Sequence, residues 1–215
     1  STGIKYILKK EYAYSVELDV TKKFEFWVYD GGTWHGPAES DNTIPINTWS
    51  HVVATYNGSR LKVYVNGAQQ ATTVDYSGPI GESVKDVTIG WNSADRYFNG
   101  TIDEVRIYNR ALSAEEVANL YANNATVSDE GLVGYWSFDD GSGSTTANDS
   151  SAWVSGKFDW GLRFDGSDDY VEVPDDASLD ITDEVTIAYW IKTTKKTWMN
   201  VVGKWGGDSA NGGYW

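Results

Sequence analysis

Short runs in which apolar and polar side chains alternate, each bounded by a turn dipeptide, constrain the fold of this chain more than any other feature. In one run Leu61, Val63 and Val65 alternate with other residues, so they share one face of a strand. Asn57-Gly58 precedes this run and Asn66-Gly67 follows it. Asn-Gly is the strongest short hairpin signal, because both central positions of a type I′ turn need positive φ. The pattern therefore predicts antiparallel β-structure with one buried face per strand.

The same patterning predicts strands along the whole chain. They are expected at Phe24–Tyr29, Trp49–Tyr56, Leu61–Val65, Gln69–Thr73, Thr101–Asn109, Leu132–Phe138, Gly161–Phe164, Tyr170–Val173 and Val185–Lys192. In the fifth of these, Ile102 is out of phase with Val105 and Ile107. A β-bulge at Asp103-Glu104, which would re-aim these side chains, accounts for the phase change.

One helix is predicted, near residues 114–121. Ser113 is a favourable N-cap, and Glu116 three residues later completes a capping box. Leu112 precedes the cap and can pack on Val117 as a hydrophobic staple. The helix is therefore short and locally specified.

Several longer motifs resemble one known family. Residues Asn99–Val117 resemble the closing strand and terminal helix of a laminin-G-like (LamG/pentraxin-like) jelly roll, and Gly131–Gly143 resembles its opening strand. Leu162–Pro174, Val185–Lys192 and Ile46–Tyr56 match further strands. By this resemblance the chain is similar to the concanavalin A-like lectin/glucanase superfamily. The resemblance implies an all-β fold, a two-sheet antiparallel jelly-roll sandwich.

The family's motifs occur here in a circularly permuted or split-tandem order. Residues 1–122 resemble the back half of a LamG-like jelly roll, 123–130 form a polar linker, and 131–215 resemble the front half. A cut across two tandem neighbours, a natural permutant and an exchange of halves between chains would all give this order. A half jelly roll exposes an apolar sheet face and open edges. We therefore expect the halves to close into one composite sandwich.

Charge, hydropathy and cysteine content exclude some classes of partner and of stabilising bond. The formal net charge is −14, from 31 acidic and 17 basic residues, which disfavours nucleic acid because phosphates would be repelled. No apolar run approaches the ~20 residues that span a bilayer, so no membrane insertion is expected. The chain has no cysteine. Stability must therefore come from packing or from a bound metal.

The resemblance also implies a calcium ion near the opening strand. The positions that match the family's ligands are Asp140, Asp149 and Asp103, with backbone oxygens at Gly141 and Gly143. Ca²⁺ takes six to eight oxygen ligands of these kinds. Because the ligands come from both halves, calcium would join them. The alternative is that Asp140 and Asp149 only shape turns.

Aromatic residues are the candidates for ligand contact. The chain contains 11 tryptophans and 14 tyrosines, whose amphipathic rings suit recognition sites. Trp34, Trp198 and Trp205 are expected in Gly-rich or polar loops, and Tyr97 precedes the closing strand. Three tryptophans within strand patterns are assigned to the core: Trp49, Trp136 and Trp190.

No catalytic motif is found. Related sandwich glycosidases carry Glu-x-Asp-x-Glu or a close variant, and hydrolysis needs two such carboxyl groups; no such triple occurs here. On a regular strand, adjacent Asp103 and Glu104 would point to opposite faces. His51 is expected to serve packing or a local hydrogen bond, and His35 lies far from any nucleophile motif.

These observations predict a non-catalytic extracellular or cell-surface recognition module, stabilised by calcium. Its partner would be a glycan or a cell-surface protein, with neighbouring repeats of a parent protein beside it. The alternatives are a structural spacer repeat of a surface protein and an accessory domain of a polysaccharide-degrading enzyme.

Overall fold

The chain folds as an antiparallel two-sheet sandwich with one α-helix. The computed structural model describes residues 5–19, 21–91, 97–123, 127–140 and 152–194. The expected all-β jelly-roll architecture is confirmed, as is the helix over Ala114–Tyr121 (α1). None of the helices in these ranges is both long and apolar enough to cross a membrane.

Fifteen strands are found in the described ranges. They are β1 Lys5–Lys10, β2 Tyr14–Leu18, β3 Phe24–Tyr29, β4 Trp34–Glu39, β5 Ser50–Asn57, β6 Arg60–Val65, β7 Ala68–Gln69, β8 Val74–Asp75, β9 Val87–Ile89, β10 Asn99–Tyr108, β11 Leu132–Trp136, β12 Ala152–Ser155, β13 Trp160–Asp165, β14 Val171–Val173 and β15 Glu184–Thr193. These ranges also contain one 3₁₀ turn, Ala177–Leu179.

The first sheet has six strands, in the order β14-β9-β1-β2-β3-β4. Strands β2 and β3 pair with Val16 opposite Phe26 and Leu18 opposite Phe24. These four side chains are buried in the main core between the sheets. The alternation in β3 (buried at Phe24, Phe26 and Val28) is the period-two pattern read from the sequence.

The second sheet interleaves strands from both ends of the chain. Its order is β12-β13-β10-β15-β5-β6-β7, with β11 also paired to β10 and β8 to β6. Strand β15 lies between β10 and β5 and pairs with both over most of its length. Each sheet therefore contains strands from before residue 123 and strands from after residue 130, and the buried side chains of both parts pack in one core.

Helix α1 packs on the outer face of the second sheet. The Ser113 hydroxyl accepts the Glu116 N–H, and the Glu116 carboxylate accepts the Ser113 N–H. Leu112 and Val117 are both buried in a second, smaller apolar cluster with Tyr108. The capping box predicted from the sequence is therefore present, and the predicted staple pair shares one cluster.

Two predicted elements differ in the structure. The run Gln69–Thr73 is predicted to be a strand, but pairing to β6 is split between β7 and β8. The intervening loop is held elsewhere, because the Asp41 carboxylate accepts the Ala71 N–H at 2.8 Å. Trp34, expected in a loop, begins β4, the edge strand that also contains Pro37.

Candidate functional site

Three carboxylates meet where β10 departs from regular geometry. Asp103, Glu104 and Asp139 each offer an oxygen, and these atoms lie within 4.8 Å of one another. The pairing of β10 with β15 shifts register between Asp103 and Arg106, and Glu104 has a φ of 56°. The predicted bulge is thus confirmed. The bulge brings the carboxylates of Asp103 and Glu104 together. In a regular strand they would lie on opposite faces of the sheet.

Asp103 is the most deeply buried member of this acidic cluster. Its side chain is fully buried, and its Oδ2 accepts the Lys157 and Phe158 N–H groups at 2.7 and 3.2 Å. Its Oδ1 is buried and has no hydrogen-bond partner in the part of the chain that the structure describes. Burial, opposed by those two hydrogen bonds, raises the pKa of Asp103 to about 7.

Glu104 and Asp139 complete the cluster from different elements. Glu104 Oε2 lies 2.6 Å from an Arg106 guanidinium nitrogen, and Glu104 Oε1 accepts the Tyr135 hydroxyl at 2.9 Å. Burial, together with the Glu104 carboxylate, raises the pKa of Tyr135. Asp139, just after β11, accepts the Trp160 N–H at 3.3 Å. The three acids are therefore held by strands from both parts of the chain.

The donor set fits a hard cation. Carboxylate oxygens are the ligands that Ca²⁺ prefers, and Asp103 Oδ1 is a buried acceptor to which none of the described residues donates a hydrogen bond. Of the ligands predicted from the sequence, Asp103 belongs to the cluster. Asp140 is exposed and is not among the three grouped acids. Asp149, Gly141 and Gly143 lie outside the described residues, so their roles stay predictions.

Sequence reasoning did not select Glu104 and Asp139 as ligands. Asp139 is adjacent to the selected Asp140, and the motif does not fix which of the two turns inward. The predicted bulge was the available signal for Glu104, since a bulge ends strict alternation of side chains.

A ladder of aromatic rings lies at one end of the six-stranded sheet. Tyr12, in the turn between β1 and β2, packs on Tyr29 with ring centroids 5.5 Å apart, and Tyr29 packs on Trp34 at 5.2 Å. The Lys9 ammonium lies 5.5 Å from the Trp34 ring centroid. Tyr12 is 49% exposed. We call Tyr12, Tyr29 and Trp34 the aromatic ladder.

Of these three rings, only Trp34 was selected from the sequence. Tyr12 and Tyr29 were missed because their proximity depends on the pairing of β1, β2 and β3. The Tyr29–Trp34 contact follows directly from cross-strand pairing in the β3–β4 hairpin.

Tyr97 contributes to a separate aromatic group. Its ring stacks on Trp91 at 6.0 Å, and Trp91 contacts Tyr170 at 5.0 Å. Both Tyr97 and Trp91 are half-buried. The other two tryptophans selected as ligand contacts, Trp198 and Trp205, lie outside the described residues, so their roles remain predictions.

The two histidines have different environments. His51 is buried and packs against Trp190 and Tyr121, and its Nδ1 has no hydrogen-bond partner. Burial, helped by nearby Arg106 and Lys157, lowers the pKa of His51 to about 3. His35 lies 2.8 Å from the Asp30 carboxylate and stacks on a tyrosine ring. The hydrogen bond between Asp30 and His35, together with two backbone N–H donors, lowers the pKa of Asp30 to about 2.

The three tryptophans assigned to the core are buried to different degrees, and Trp49 lies just before β5 rather than within it. Trp190 is 3% exposed, although it faces the side of the sheet that carries α1, next to His51. Trp136 is half-buried and packs against the main core. Trp49 is half-buried beneath the Lys192 ammonium, which lies 5.0 Å from its ring centroid.

Comparisons with known proteins match the fold described above. The model of the Concanavalin A-like lectin/glucanases superfamily matches residues 2–118. The human adhesion G-protein coupled receptor D1 is 39% identical over 93 residues, which cover 40% of this chain and 10% of the receptor. Mouse pappalysin-1 is 31% identical over 75 residues, which cover 33% of this chain and 5% of that protein.

These relatives are much longer than the region they share with this chain. The chain spans about a tenth or less of the length of the curated relatives it matches. No solved structure matches significantly. The family model covers more than half of the chain, and its matched residues include the first nine strands and all of β10. The chain therefore belongs to the concanavalin A-like lectin/glucanases superfamily.

Proposed function

We propose that this chain is an extracellular, non-catalytic recognition module that binds carbohydrate through the aromatic ladder and is stabilised by calcium. The ladder is the observation that carries the proposal. Three consecutive rings with an exposed terminal tyrosine offer flat apolar faces, on which the C–H faces of a sugar can stack. The Lys9 ammonium adds a polar group beside the Trp34 ring, as ligand sites of this kind require.

The family and its relatives support the proposed role and the proposed location. The superfamily's own description includes lectins, and one relative is an adhesion receptor. The superfamily description names glucanases as well, so the lectin class supports recognition and the adhesion receptor supports an extracellular location. A cell-surface protein is the other partner class that suits such a module.

Calcium is assigned to the cluster of Asp103, Glu104 and Asp139. The fully buried Asp103 would place its unpartnered Oδ1 on the ion, which offsets the cost of burying that oxygen. Because Asp103 lies on β10 and Asp139 follows β11, the ion would tie the two parts of the chain together. Its role here is structural support for the sandwich.

A glycan-array screen in calcium, repeated after chelation, tests the proposal. Binding that is lost in Trp34→Ala and Tyr12→Ala, by tenfold or more as for buried aromatic contacts, supports the aromatic ladder as the site. The matched control is Trp160→Ala, which removes a 45% exposed tryptophan outside the ladder. Binding that is lost in chelator although circular dichroism shows the protein to be folded would place the metal in the recognition surface.

The alternatives are distinguished by the same screen. If folded protein binds no glycan with or without calcium, the carbohydrate proposal fails and a structural spacer, or adhesion to a protein partner, becomes the better account. If binding is confined to plant or microbial polysaccharides, the accessory role beside a polysaccharide-degrading enzyme is favoured.

A further inference from the structure

A second group of carboxylates lies in the loop between β13 and β14. Asp165, Asp168 and Asp169 each place an oxygen within 4.8 Å of the others. Asp165 and Asp168 are exposed, whereas Asp169 is fully buried. None of these residues belongs to the cluster of Asp103, Glu104 and Asp139. Along β10 the two groups are separated by the four positions from Asn99 to Asp103, about 13 Å.

Asp169 distinguishes this group from an ordinary cluster of surface carboxylates, because its side chain is buried. Its Oδ2 accepts the Asp165 N–H at 2.7 Å, whereas its Oδ1 is buried and has no hydrogen-bond partner among the described residues. A buried carboxylate oxygen without a partner is costly, and two further carboxylates beside it add repulsion. Burial and the charges of Asp165 and Asp168 raise the pKa of Asp169. The Asp169 Oδ1 is therefore the open ligand position of the group.

We propose that Asp165, Asp168 and Asp169 bind a divalent cation, and that calcium is the cation they fit best. Three carboxylates on a short loop supply oxygen ligands only, which favours calcium over softer metals. The ion would take the open Asp169 Oδ1 as its buried ligand and the exposed Asp165 and Asp168 as its outer ligands. This site is independent of the proposed carbohydrate function and of the first acidic cluster.

The loop is held in place without the ion. The Asn99 side-chain amide of β10 donates to the Asp165 carbonyl, and Asp165 Oδ1 accepts the Ser167 N–H at 2.7 Å. Gly166 has a φ of 85°, and a Cβ at this position would lie 2.8 Å from the Asn99 Cβ. These contacts fix the backbone that carries the three acids, so binding would not require the loop to refold.

The second aromatic group lies close enough to report on this site. Tyr97 interacts electrostatically with Asp168 and Tyr170, and Trp91 contacts both tyrosine rings. Terbium substitutes for calcium on oxygen ligands and luminesces when neighbouring tyrosine or tryptophan rings transfer energy to it. Terbium is therefore a direct probe of the loop.

The experiment is a terbium titration of the full chain carrying Asp103→Asn, which weakens the first cluster by removing the negative charge of its buried member. Sensitised luminescence should appear and should be displaced by calcium. Asp165→Asn with Asp168→Asn should weaken terbium affinity at least tenfold. The Asp165→Asn change retains a side-chain oxygen that can accept the Ser167 N–H, so the turn is preserved. The matched control, Asp176→Asn with Asp183→Asn, removes two exposed carboxylates outside both clusters and should leave affinity unchanged.

Two results would overturn the proposal. One is a folded Asp103→Asn protein that gives no sensitised luminescence and no heat of calcium binding, which would mean that a proton rather than a metal neutralises Asp169. The other is an equal loss of affinity in the loop variant and the control variant, which would mean that terbium responds to net charge alone. Circular dichroism establishes that each variant is folded.

Discussion

Asp103 and Glu104 are neighbours in sequence, and a bulge in β10 brings their carboxylates into one cluster with Asp139. On a regular strand the two side chains would lie on opposite faces of the sheet. The left-handed backbone at Glu104 changes this relationship. Arg106 and Tyr135 then hold Glu104 in place, and the buried Asp103 Oδ1 remains the acceptor without a partner.

Calcium should stabilise the folded chain through this cluster. At 100 times the dissociation constant a ligand adds about 2.7 kcal/mol to the free energy of unfolding. For a chain of this length that corresponds to roughly 5–10 °C in Tm. The measurement is thermal unfolding in calcium and in chelator. In Asp103→Asn with the Asp165 and Asp168 substitutions, the difference between the two conditions should vanish.

Asp183→Asn is the control for this calcium effect, because it removes an exposed carboxylate that belongs to neither cluster. Its Tm should respond to calcium as the wild type does. An identical Tm in calcium and in chelator for the wild-type chain would contradict the assignment of a structural calcium ion.

Local features of the fold were accessible from the sequence, whereas the site geometry depends on distant contacts. Ser113 and Glu116 define the start of α1 within one turn, and alternation in Phe24–Tyr29 defines β3. The break between β7 and β8 could not be foreseen, because Asp41 fixes that loop from 30 residues away. Likewise, Tyr12 reaches Tyr29 only after β1, β2 and β3 have paired.

His51 should make the folded state sensitive to acid. Its pKa is about 3 in the folded chain and near 6.5 when unfolded. The unfolded state therefore binds more protons as the pH falls below 6.5, so the free energy of unfolding decreases until about pH 3. In His51→Gln this contribution is absent. The Tm advantage of the wild type over His51→Gln should therefore shrink between pH 7 and pH 4.

The control for this prediction is the comparison of wild type with His51→Gln in the same buffers at each pH, because every other titrating group is common to the two proteins. A Tm difference between wild type and His51→Gln that stays constant from pH 7 to pH 4 would show that burial does not lower the pKa of His51.

Lys10 should be essential for stability, although it lies far from either cluster in sequence. Its side chain is fully buried, and its Nζ lies 2.5 Å from Asp175 and 2.7 Å from Asp180. Breaking a buried ion pair by removing one partner costs about 3–5 kcal/mol. Both aspartates keep some access to water, so Lys10→Ala should fall near the lower end of that range in chemical denaturation.

Lys10→Met and Lys85→Ala separate the charge of Lys10 from its volume. Lys10→Met retains an apolar side chain of similar length and should recover the part of the loss that comes from the cavity. Lys85→Ala removes a half-buried lysine for which no ion pair is found in the described chain. Equal stability of Lys10→Ala and Lys85→Ala would show that the ion pairs contribute nothing.

The chain should be a monomer in which both parts close into one sandwich. Strand β15 is inserted between β5 and β10, which come from the other side of residues 123–130, so neither part has a complete second sheet alone. Light scattering should give the mass of one chain, and small-angle scattering a radius of gyration of about 17 Å. Unfolding should be a single transition. A dimer with the same strand pairing would instead indicate exchange of halves between chains, and two separated lobes would contradict closure altogether.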